Sequence, residues 1–284
     1  MRRALVFGAS GQIGTPLVER LHAAGWQVIA VSRAPHRDRP GLHWLQGGFE
    51  RLEGVPDEVE AIFSCGPLDG FARWYAASRI ACPRVVAFGS TSAETKRGSS
   101  DPAERALAQR LREGEQRVFE AAAARAAQAT LLRPTLIYGA GRDATLTRIA
   151  ALARRWGWFL LPRHAHGRRQ PVHVDDLAEA ALAACAAAAT HGRTYAVPGG
   201  ETLPYREMVA RVLAVLEPPP RLVEVPSPLF TAALLGARAL GRIQGFGDAA
   251  VARMRQDLVF DLAPARRDFG YAPRPFVPTA GMFG

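Results

Sequence analysis

Short apolar runs alternate with longer amphipathic stretches along the first half of the chain. Residues 4–7 have the length and composition of a buried strand. The residues that follow place Ile13, Leu17 and Leu21 on one face of a helix over residues 12–24. The same pattern predicts further strands at residues 27–31, 43–45, 61–64 and 84–88, and a helix over residues 68–79. This alternation predicts an α/β fold with a doubly wound parallel sheet.

From about Asp143 the strict alternation loosens. The pattern predicts helices over residues 143–156 and 205–216 and strands at residues 193–197 and 221–225, ahead of a mostly helical tail. Asp261 is expected to cap a closing helix. The C-terminal part is therefore predicted to form a smaller, mostly helical region.

Composition is that of an ordinary globular protein, with 284 residues, 48% apolar and 22% charged. No run reaches the roughly 20 apolar residues of a membrane span. No charged-then-apolar leader precedes the first strand. Cys65, Cys82 and Cys185 lack metal-ligand or disulfide spacing. These features predict a cytoplasmic protein with no metal site and no membrane partner.

The net charge of +10 comes almost entirely from arginine, because Lys96 is the only lysine. The arginines are spread along the chain, which favours a general composition bias. The alternative interpretation is attraction of a polyanionic ligand, for which a phosphorylated cofactor suffices. No nucleic-acid-binding motif is present, so a nucleic acid is not expected as partner.

Three glycines follow the first strand at a spacing of three, namely Gly8, Gly11 and Gly14. Gly8 allows a sharp turn, Gly11 lets a diphosphate approach the backbone, and Gly14 lets the helix pack on the strand. The helix N-terminus then offers free N–H groups to the anion. The arrangement predicts a Rossmann-type dinucleotide-binding loop, and the alternative is an ordinary glycine-rich turn.

The end of the second strand bears on the choice of cofactor. An acid there would bind the adenosine ribose and repel a 2′-phosphate, whereas this chain has Ser32 and Arg33, with Arg37 in the same loop. The pair favours NADP(H) over NAD(H). The alternative is that Arg33 is only an exposed polar side chain.

The form G-x-x-G-x-x-G near the start of the chain resembles the short-chain dehydrogenase/reductases, in particular the extended and atypical branches related to nucleotide-sugar epimerases. The resemblance implies a dinucleotide-binding domain over residues 1–142 and 168–198. It also implies a smaller substrate lid from residues 143–167 and 199–284. Gly48 stands where the family usually has an Asp that touches the adenine. The residues implied to contact the cofactor, besides the glycines and the second-strand residues, are Ser10, Gln12, Ile13, Cys65, Gly66, Pro67, Ser90 and Pro134.

The resemblance also implies where the chemistry lies. Thr91 stands at the position of the family hydroxyl that polarises the substrate carbonyl, with Ser92 beside it; the alternative is a Ser/Thr-rich turn. The family's Tyr-x-x-x-Lys pair is missing, because alignment on two family-like anchors places Leu107 and Leu111 there. Those anchors are residues 115–116 and 131–134.

Other side chains are candidates to replace the missing pair. Lys96 follows Thr91 closely, and Tyr138 follows the sixth strand and is expected to face the cleft, although it is equally suited to pack against the cofactor loop. His164, His166 and His173 are further candidates, and the alternative for His164 and His166 is that they are exposed side chains. Asp175 is expected to cap the helix that follows it. The arginines considered for an anionic substrate, or simply as surface charges, are Arg168, Arg169 and Arg242.

Two functions fit these features. The first is an NAD(P)(H)-binding oxidoreductase or epimerase/dehydratase-like enzyme that acts on a small carbonyl or alcohol without the usual Tyr/Lys pair. The alternative is a non-catalytic NADP(H)-binding sensor, regulator or accessory subunit. The sequence leaves the substrate and the oligomeric state open.

Overall fold

The computed structural model describes residues 2–239 and 248–283. Strands and helices alternate as the apolar pattern predicts. In chain order the elements are β1 (Arg3–Phe7), α1 (Gly14–Ala23), β2 (Gln27–Ser32), β3 (Leu42–Gln46), β4 (Ala61–Ser64), α2 (Leu68–Ala77), β5 (Arg84–Phe88), α3 (Ser92–Thr95), α4 (Pro102–Ala123), β6 (Gln128–Pro134), β7 (Ile137–Tyr138), α5 (Leu146–Trp156), β8 (Trp158–Pro162), β9 (Arg168–Arg169), β10 (Val172–His173), α6 (Val174–Ala186), β11 (Arg193–Val197), β12 (Leu203–Pro204), α7 (Tyr205–Ala214), β13 (Arg221–Val225), α8 (Ser227–Ala239), α9 (Asp248–Arg253) and α10 (Ala263–Phe269). Short 3₁₀ helices lie at Ala188–Thr190 and Ala280–Phe283.

The chain forms two compact units. The first contains Met1–Thr135, Val172–Pro198 and Phe260–Pro273, and the second contains Leu136–Pro171, Gly199–Val259 and Arg274–Gly284. The division predicted from the sequence placed residues 260–273 in the smaller region, whereas the structure places them in the first unit. They belong to the first unit because α10 packs on β11 and α6, and the Tyr271 hydroxyl donates to the Pro198 carbonyl at 2.8 Å. Residues 136–142 and 168–171 lie in the second unit.

The first unit is built on one seven-stranded sheet in the order β11-β6-β5-β4-β1-β2-β3. All six strand pairs are parallel. The order reverses next to β1, which pairs with both β2 and β4. This confirms the predicted α/β, doubly wound sheet, and a ligand crevice in such sheets lies at the carboxyl ends of the strands where the order reverses.

Helices α2 and α4 pack on the sheet through an apolar core. Phe71 and Tyr75 of α2 are fully buried and stack at 5.7 Å between ring centroids, while Trp74 is partly buried against Phe7 at 4.3 Å. The three α2 aromatics therefore pack inward as their helical spacing predicts. The aromatic contacts hold α2 against β1 and the core of the sheet.

The second unit has its own core, in which α5 and α7 pack together. Strands β8 and β13 pair in parallel, and the described helices of this unit are α5, α7, α8 and α9. Helix α5 begins at Leu146, three residues after the predicted start. Asp143 instead accepts the backbone N–H groups of Thr145 and Thr147, and so caps the helix.

Each helix within residues 2–239 and 248–283 is too short or too polar to cross a membrane.

Arg84 ties the C-terminal end of α6 to the start of β5. Its guanidinium donates to the carbonyls of Ala184 and Cys185 at 2.8 and 2.9 Å and to the Thr190 hydroxyl at 3.2 Å. The last carbonyls of a helix have no partner within the helix, so a cation there stabilises the helix end.

We predict that Arg84→Met lowers the free energy of unfolding by about 1–3 kcal/mol, because a charged hydrogen-bond donor is lost and the Cys185 carbonyl loses its partner, whereas the Ala184 carbonyl keeps the Thr190 hydroxyl. Urea unfolding followed by circular dichroism measures the change. Arg79→Met is the matched control, since Arg79 is exposed and lies in the same connection between α2 and β5. Equal stability of the two variants would contradict the role given to Arg84.

Candidate cofactor and substrate site

The turn between β1 and α1 is so tight that its three glycine positions leave little or no room for a side chain. Gly8 has φ of +67°, and a Cβ there would lie 2.9 Å from the backbone of Cys65 and Gly66. A Cβ at Gly14 would lie 2.0 Å from the Gly8 carbonyl oxygen, and one at Gly11 would lie 3.0 Å from it. Glycine is therefore required for the turn and for the approach of helix to strand.

Helix α1 starts at Gly14, two residues later than the pattern predicts. Ile13 occupies the N-cap position without a side-chain cap, and the first turn carries no acidic residue. A helix start with neither a cap nor a carboxylate leaves N–H groups and the positive end of the dipole for an anion.

Gln12 gives a second indication of a bound group. Its Oε1 atom is buried and has no hydrogen-bond partner among the described residues. A buried polar atom without a partner is costly, and a bound ribose hydroxyl would satisfy it. The residues present therefore fit a dinucleotide, with its diphosphate at the start of α1.

The segment after β4 runs beside this turn. The Cys65 N–H donates to the Phe7 carbonyl at 2.9 Å and so prolongs the β1–β4 pairing to the first glycine. Gly66 and Pro67 then lead directly into α2. Desolvation raises the pKa of the Cys65 thiol, which keeps it protonated and unsuited to be a nucleophile.

The end of β2 carries unpaired positive charge. Arg33 and Arg37 are exposed, and neither makes an ion pair with any residue that the structure describes. A Cβ on Gly48 would lie 3.8 Å from the Arg33 Cγ, so the residue at the family's Asp position adjoins Arg33. Ser32 is buried, and its hydroxyl lies 3.0 Å from that of Ser10 in the glycine turn.

The three hydroxyls after β5 differ in their partners. Thr91 is buried, and both its N–H and its hydroxyl donate to the Pro134 carbonyl, at 3.2 and 3.1 Å. Ser90 accepts the Ser92 N–H at 3.1 Å. The Ser92 hydroxyl is partly exposed and has no hydrogen-bond partner among the described residues. Among these three hydroxyls, Ser92 is thus the one that makes no hydrogen bond to another described residue.

Helix α4 carries Leu107 and Leu111, the residues that the sequence predicts to stand in place of the family's acid/base pair. Leu111 packs against the sheet core, and Leu107 is partly exposed. One turn further on, buried Glu115 accepts from Arg133 Nε at 2.7 Å and also pairs with its Nη2, while Arg133 Nη1 pairs with Glu94. These contacts tie α4, β6 and α3 together behind the hydroxyl cluster.

Lys96 forms an ion pair with Glu104 in the first turn of α4. Its Nζ atom lies 3.3 Å from Glu104 Oε1, and the Ser99 hydroxyl donates to the other oxygen of the same carboxylate at 2.7 Å. The ammonium is therefore held by a carboxylate at the start of the helix.

Tyr138 and the two histidines of the second unit do not form an acid/base cluster. Tyr138 is 1% exposed and packs edge-on against Phe276 at 4.9 Å, so it is a core residue of that unit. His164 and His166 are exposed, as expected.

Arg168 pairs with Asp257, and buried Arg169 donates to the Arg168 and Gln256 carbonyls. Their guanidinium groups are already engaged within the second unit. Arg242, the third arginine considered for an anionic substrate, lies outside the described residues.

The cap expected from Asp175 is wrong. His173 is the N-cap of α6, and its Nδ1 atom accepts the Asp175 N–H at 3.2 Å. The Asp175 carboxylate pairs with Arg20 of α1 at 3.3 Å instead. Within the described part of the chain, no group of three or more His, Cys, Asp or Glu side chains is arranged to hold a metal ion.

A parallel, doubly wound sheet with a glycine turn at its switch point is typical of dinucleotide-binding proteins, and the family comparison agrees. A model of the NAD dependent epimerase/dehydratase family matches residues 4–69 and 72–197. The chain belongs to this family, whose cofactor is a nicotinamide dinucleotide.

Individual relatives are distant. A 2-alkyl-3-oxoalkanoate reductase from Stenotrophomonas maltophilia (strain K279a) is 28% identical over 96% of this chain and 95% of its own. Among solved structures, MoeE5 in complex with UDP-glucuronic acid and NAD is 18% identical with a TM-score of 0.72, over 96% of this chain and 94% of its own. The epimerase Mth375 from Methanothermobacter thermautotrophicus is 15% identical with a TM-score of 0.70, over 99% of this chain and 90% of its own. The solved structures share the fold.

We predict that Gly14→Ala abolishes measurable binding of NADP⁺ and NAD⁺, because the added methyl group meets backbone atoms and opens the turn. Calorimetric titration measures binding, and circular dichroism reports folding. Gly98→Ala is the matched control, since a Cβ at Gly98 meets no atom within 4 Å. Should Gly14→Ala fail to fold, Gly11→Ala gives a milder test, and wild-type affinity in that variant would contradict the assignment.

Proposed function

We propose that this protein is an NADP(H)-dependent oxidoreductase or epimerase/dehydratase-like enzyme that acts on a small carbonyl or alcohol. In this proposal the glycine turn holds the diphosphate and the end of β2 holds the adenosine 2′-phosphate. The hydroxyls after β5 orient the substrate oxygen, and the nicotinamide, when bound, supplies or accepts the hydride.

The preference for NADP(H) is supported by one observation above all, the unpaired guanidinium of Arg33 beside Gly48. An acid at position 48 would neutralise Arg33 and repel a 2′-phosphate. Glycine leaves the guanidinium available, and Arg37 adds a second unpaired charge in the same loop. A guanidinium forms bidentate hydrogen bonds with phosphate, which supports this assignment.

We predict that Arg33→Ala raises the Kd of NADP⁺ about 10- to 100-fold while the Kd of NAD⁺ changes less than about threefold, because one charged phosphate contact is lost. Gly48→Asp is expected to act in the same direction by pairing with Arg33. Arg51→Ala is the matched control. Arg51 is an exposed arginine in the segment after β3 that also contains Gly48, and it already pairs with Glu53. Tighter binding of NAD⁺ than of NADP⁺ by the wild type would contradict the proposed preference.

Ser92 is the better placed hydroxyl to bind the substrate oxygen. The Thr91 hydroxyl donates a hydrogen bond to the Pro134 carbonyl and so positions the turn. The Ser92 hydroxyl has no such partner among the described residues and is available to donate. A donor aimed at the oxygen stabilises the negative charge that develops there during hydride transfer.

Proton transfer to or from that oxygen is assigned to water. Tyr138 is buried in the core of the second unit, Lys96 is held by Glu104, and the positions predicted for the family's pair on α4 are Leu107 and Leu111. A water molecule hydrogen-bonded to Ser92 requires no further side chain and is compatible with general acid–base chemistry.

The reductase relative supports a carbonyl substrate, because its name describes a 3-oxo acid. The solved relatives in complex with UDP-sugars support an alcohol or carbonyl on a larger ligand. A 2-alkyl-3-oxoalkanoate is therefore the first compound to test, followed by UDP-sugars.

We predict that Ser92→Ala lowers kcat/KM for reduction of the carbonyl substrate at least tenfold. The Kd for NADP⁺ is expected to stay unchanged, because only the contact between Ser92 and the substrate oxygen is lost. Oxidation of NADPH at 340 nm measures turnover. Thr91→Val, which removes the bond to Pro134, is expected to lower turnover at least tenfold and also to lower the melting temperature. Unchanged turnover in Ser92→Ala would remove this hydroxyl from the mechanism.

The alternative function is a non-catalytic NADP(H)-binding sensor or accessory subunit. The engaged Thr91 hydroxyl and the two leucines of α4 favour it, because neither is needed for cofactor binding alone. Tight NADPH binding without oxidation in the presence of 3-oxo acids and simple ketones, together with no conversion of UDP-sugars in the presence of NADP⁺ or NAD⁺, would support the sensor and contradict the enzyme.

A further inference from the structure

A hydrogen-bond network links the glycine turn to the loop after β2. The Ser32 hydroxyl is its centre and is buried. It lies 3.0 Å from the Ser10 hydroxyl, 3.0 Å from His36 Nε2 and 3.2 Å from the Ala34 N–H, which donates to it. The side chain expected to touch the cofactor is therefore also the one that positions His36.

His36 is held on a second side by an aromatic ring. Its imidazole stacks on Trp44 of β3, with the ring centroids 4.1 Å apart and the planes inclined by 23°. Nε2 is used by Ser32, whereas Nδ1 has no hydrogen-bond partner among the described residues. The residue is exposed, so an oriented imidazole presents one unused nitrogen to solvent.

The charges around His36 leave a positive surface. Arg33 and Arg37 of the same loop are unpaired within the described chain, and Arg39 pairs with Glu19 of α1. The one acid of the loop, Asp38, accepts from the Trp44 N–H at 2.8 Å and from His43 at 2.6 Å.

His22 of α1 contacts the end of the same loop, where its Nε2 lies 2.9 Å from the Pro40 carbonyl oxygen. The Trp44 N–H and His43 lower the pKa of Asp38, so its charge stays engaged with β3.

We propose that His36 contacts the adenosine 2′-phosphate together with Arg33 and makes the preference for NADP(H) over NAD(H) depend on pH. This inference rests on the proposed NADP(H) site. In this proposal the charge state of His36 contributes to the choice of cofactor, whereas Arg33 is charged at every relevant pH.

The direction of the effect follows from imidazole chemistry. Histidine changes its charge between about pH 5 and 8. The cation donates Nε2–H to Ser32 and offers Nδ1–H and a positive charge to the phosphate. The neutral form keeps at most a neutral donor at Nδ1, so the contact weakens as pH rises.

The phosphate titrates in the opposite sense. Its second proton is lost near pH 6, so the phosphate gains charge and binds Arg33 more strongly as pH rises. A variant without the imidazole keeps only this second effect. The comparison of wild type and variant at each pH therefore isolates His36.

The test is calorimetric titration of the full chain with NADP⁺ and NAD⁺ at pH 6 and pH 8, at constant ionic strength. NADP⁺ is used because NADPH decomposes in acid. His36→Gln keeps a hydrogen-bonding group for Ser32 but does not titrate. We expect it to raise the Kd of NADP⁺ about threefold to tenfold at pH 6 and less than about twofold at pH 8, with the Kd of NAD⁺ unchanged at both.

His191→Gln is the matched control, since His191 is an exposed histidine of the same unit at the turn before β11. It is expected to behave as the wild type. If His36→Gln and wild type bind NADP⁺ equally at pH 6, the role of His36 is wrong while the NADP(H) preference stands. If NADP⁺ binds no more tightly than NAD⁺ at either pH, the proposed cofactor preference fails and this inference fails with it.

Discussion

The close approach of backbone to backbone at the β1–α1 turn is the constraint on which the site depends. Gly8 turns with a positive φ against the segment after β4, and Gly14 rests on the Gly8 carbonyl. Because these glycines carry no Cβ, helix α1 begins directly after the turn, with no side-chain cap and no acidic residue in its first turn. Ser10 and Ser32 then connect this turn to β2. The positions of the diphosphate, the ribose and the 2′-phosphate in the proposed complex all follow from that geometry.

Arginine serves three different purposes in this chain, and only partners and burial separate them. Arg84 is enclosed and donates to the helix-terminal carbonyls of Ala184 and Cys185. Arg133 is clamped by the carboxylates of Glu94 and Glu115, and this holds three elements of the first unit together. Arg33 is exposed and unpaired within the described residues. A guanidinium that the protein leaves without a partner is available to a ligand, and the excess of positive charge along the chain adds long-range attraction for a phosphorylated one.

The region around the hydroxyl cluster combines a charged pair with aliphatic residues of α4. Glu115 and Arg133 join α4 to β6. Leu111, one turn before Glu115, joins the apolar core instead of offering a charge. The Thr91 hydroxyl stabilises the end of β6, and Ser92 keeps the free hydroxyl. A scaffold of this kind is compatible with cofactor binding, and the proposed mechanism leaves proton transfer to solvent.

Local pattern determined the elements and the cofactor turn. Strands β5, β11 and β13 begin and end where their apolar runs predict, and the spacing of Gly8, Gly11 and Gly14 predicted the turn, because period and glycine position are properties of neighbouring residues. Tertiary structure decided which polar side chains are available. Thr91 is engaged by a carbonyl 43 positions away, His173 rather than Asp175 caps α6, and His36 is oriented by Ser32 and Trp44. These outcomes depend on partners brought together by the fold, and no periodicity along the chain encodes them.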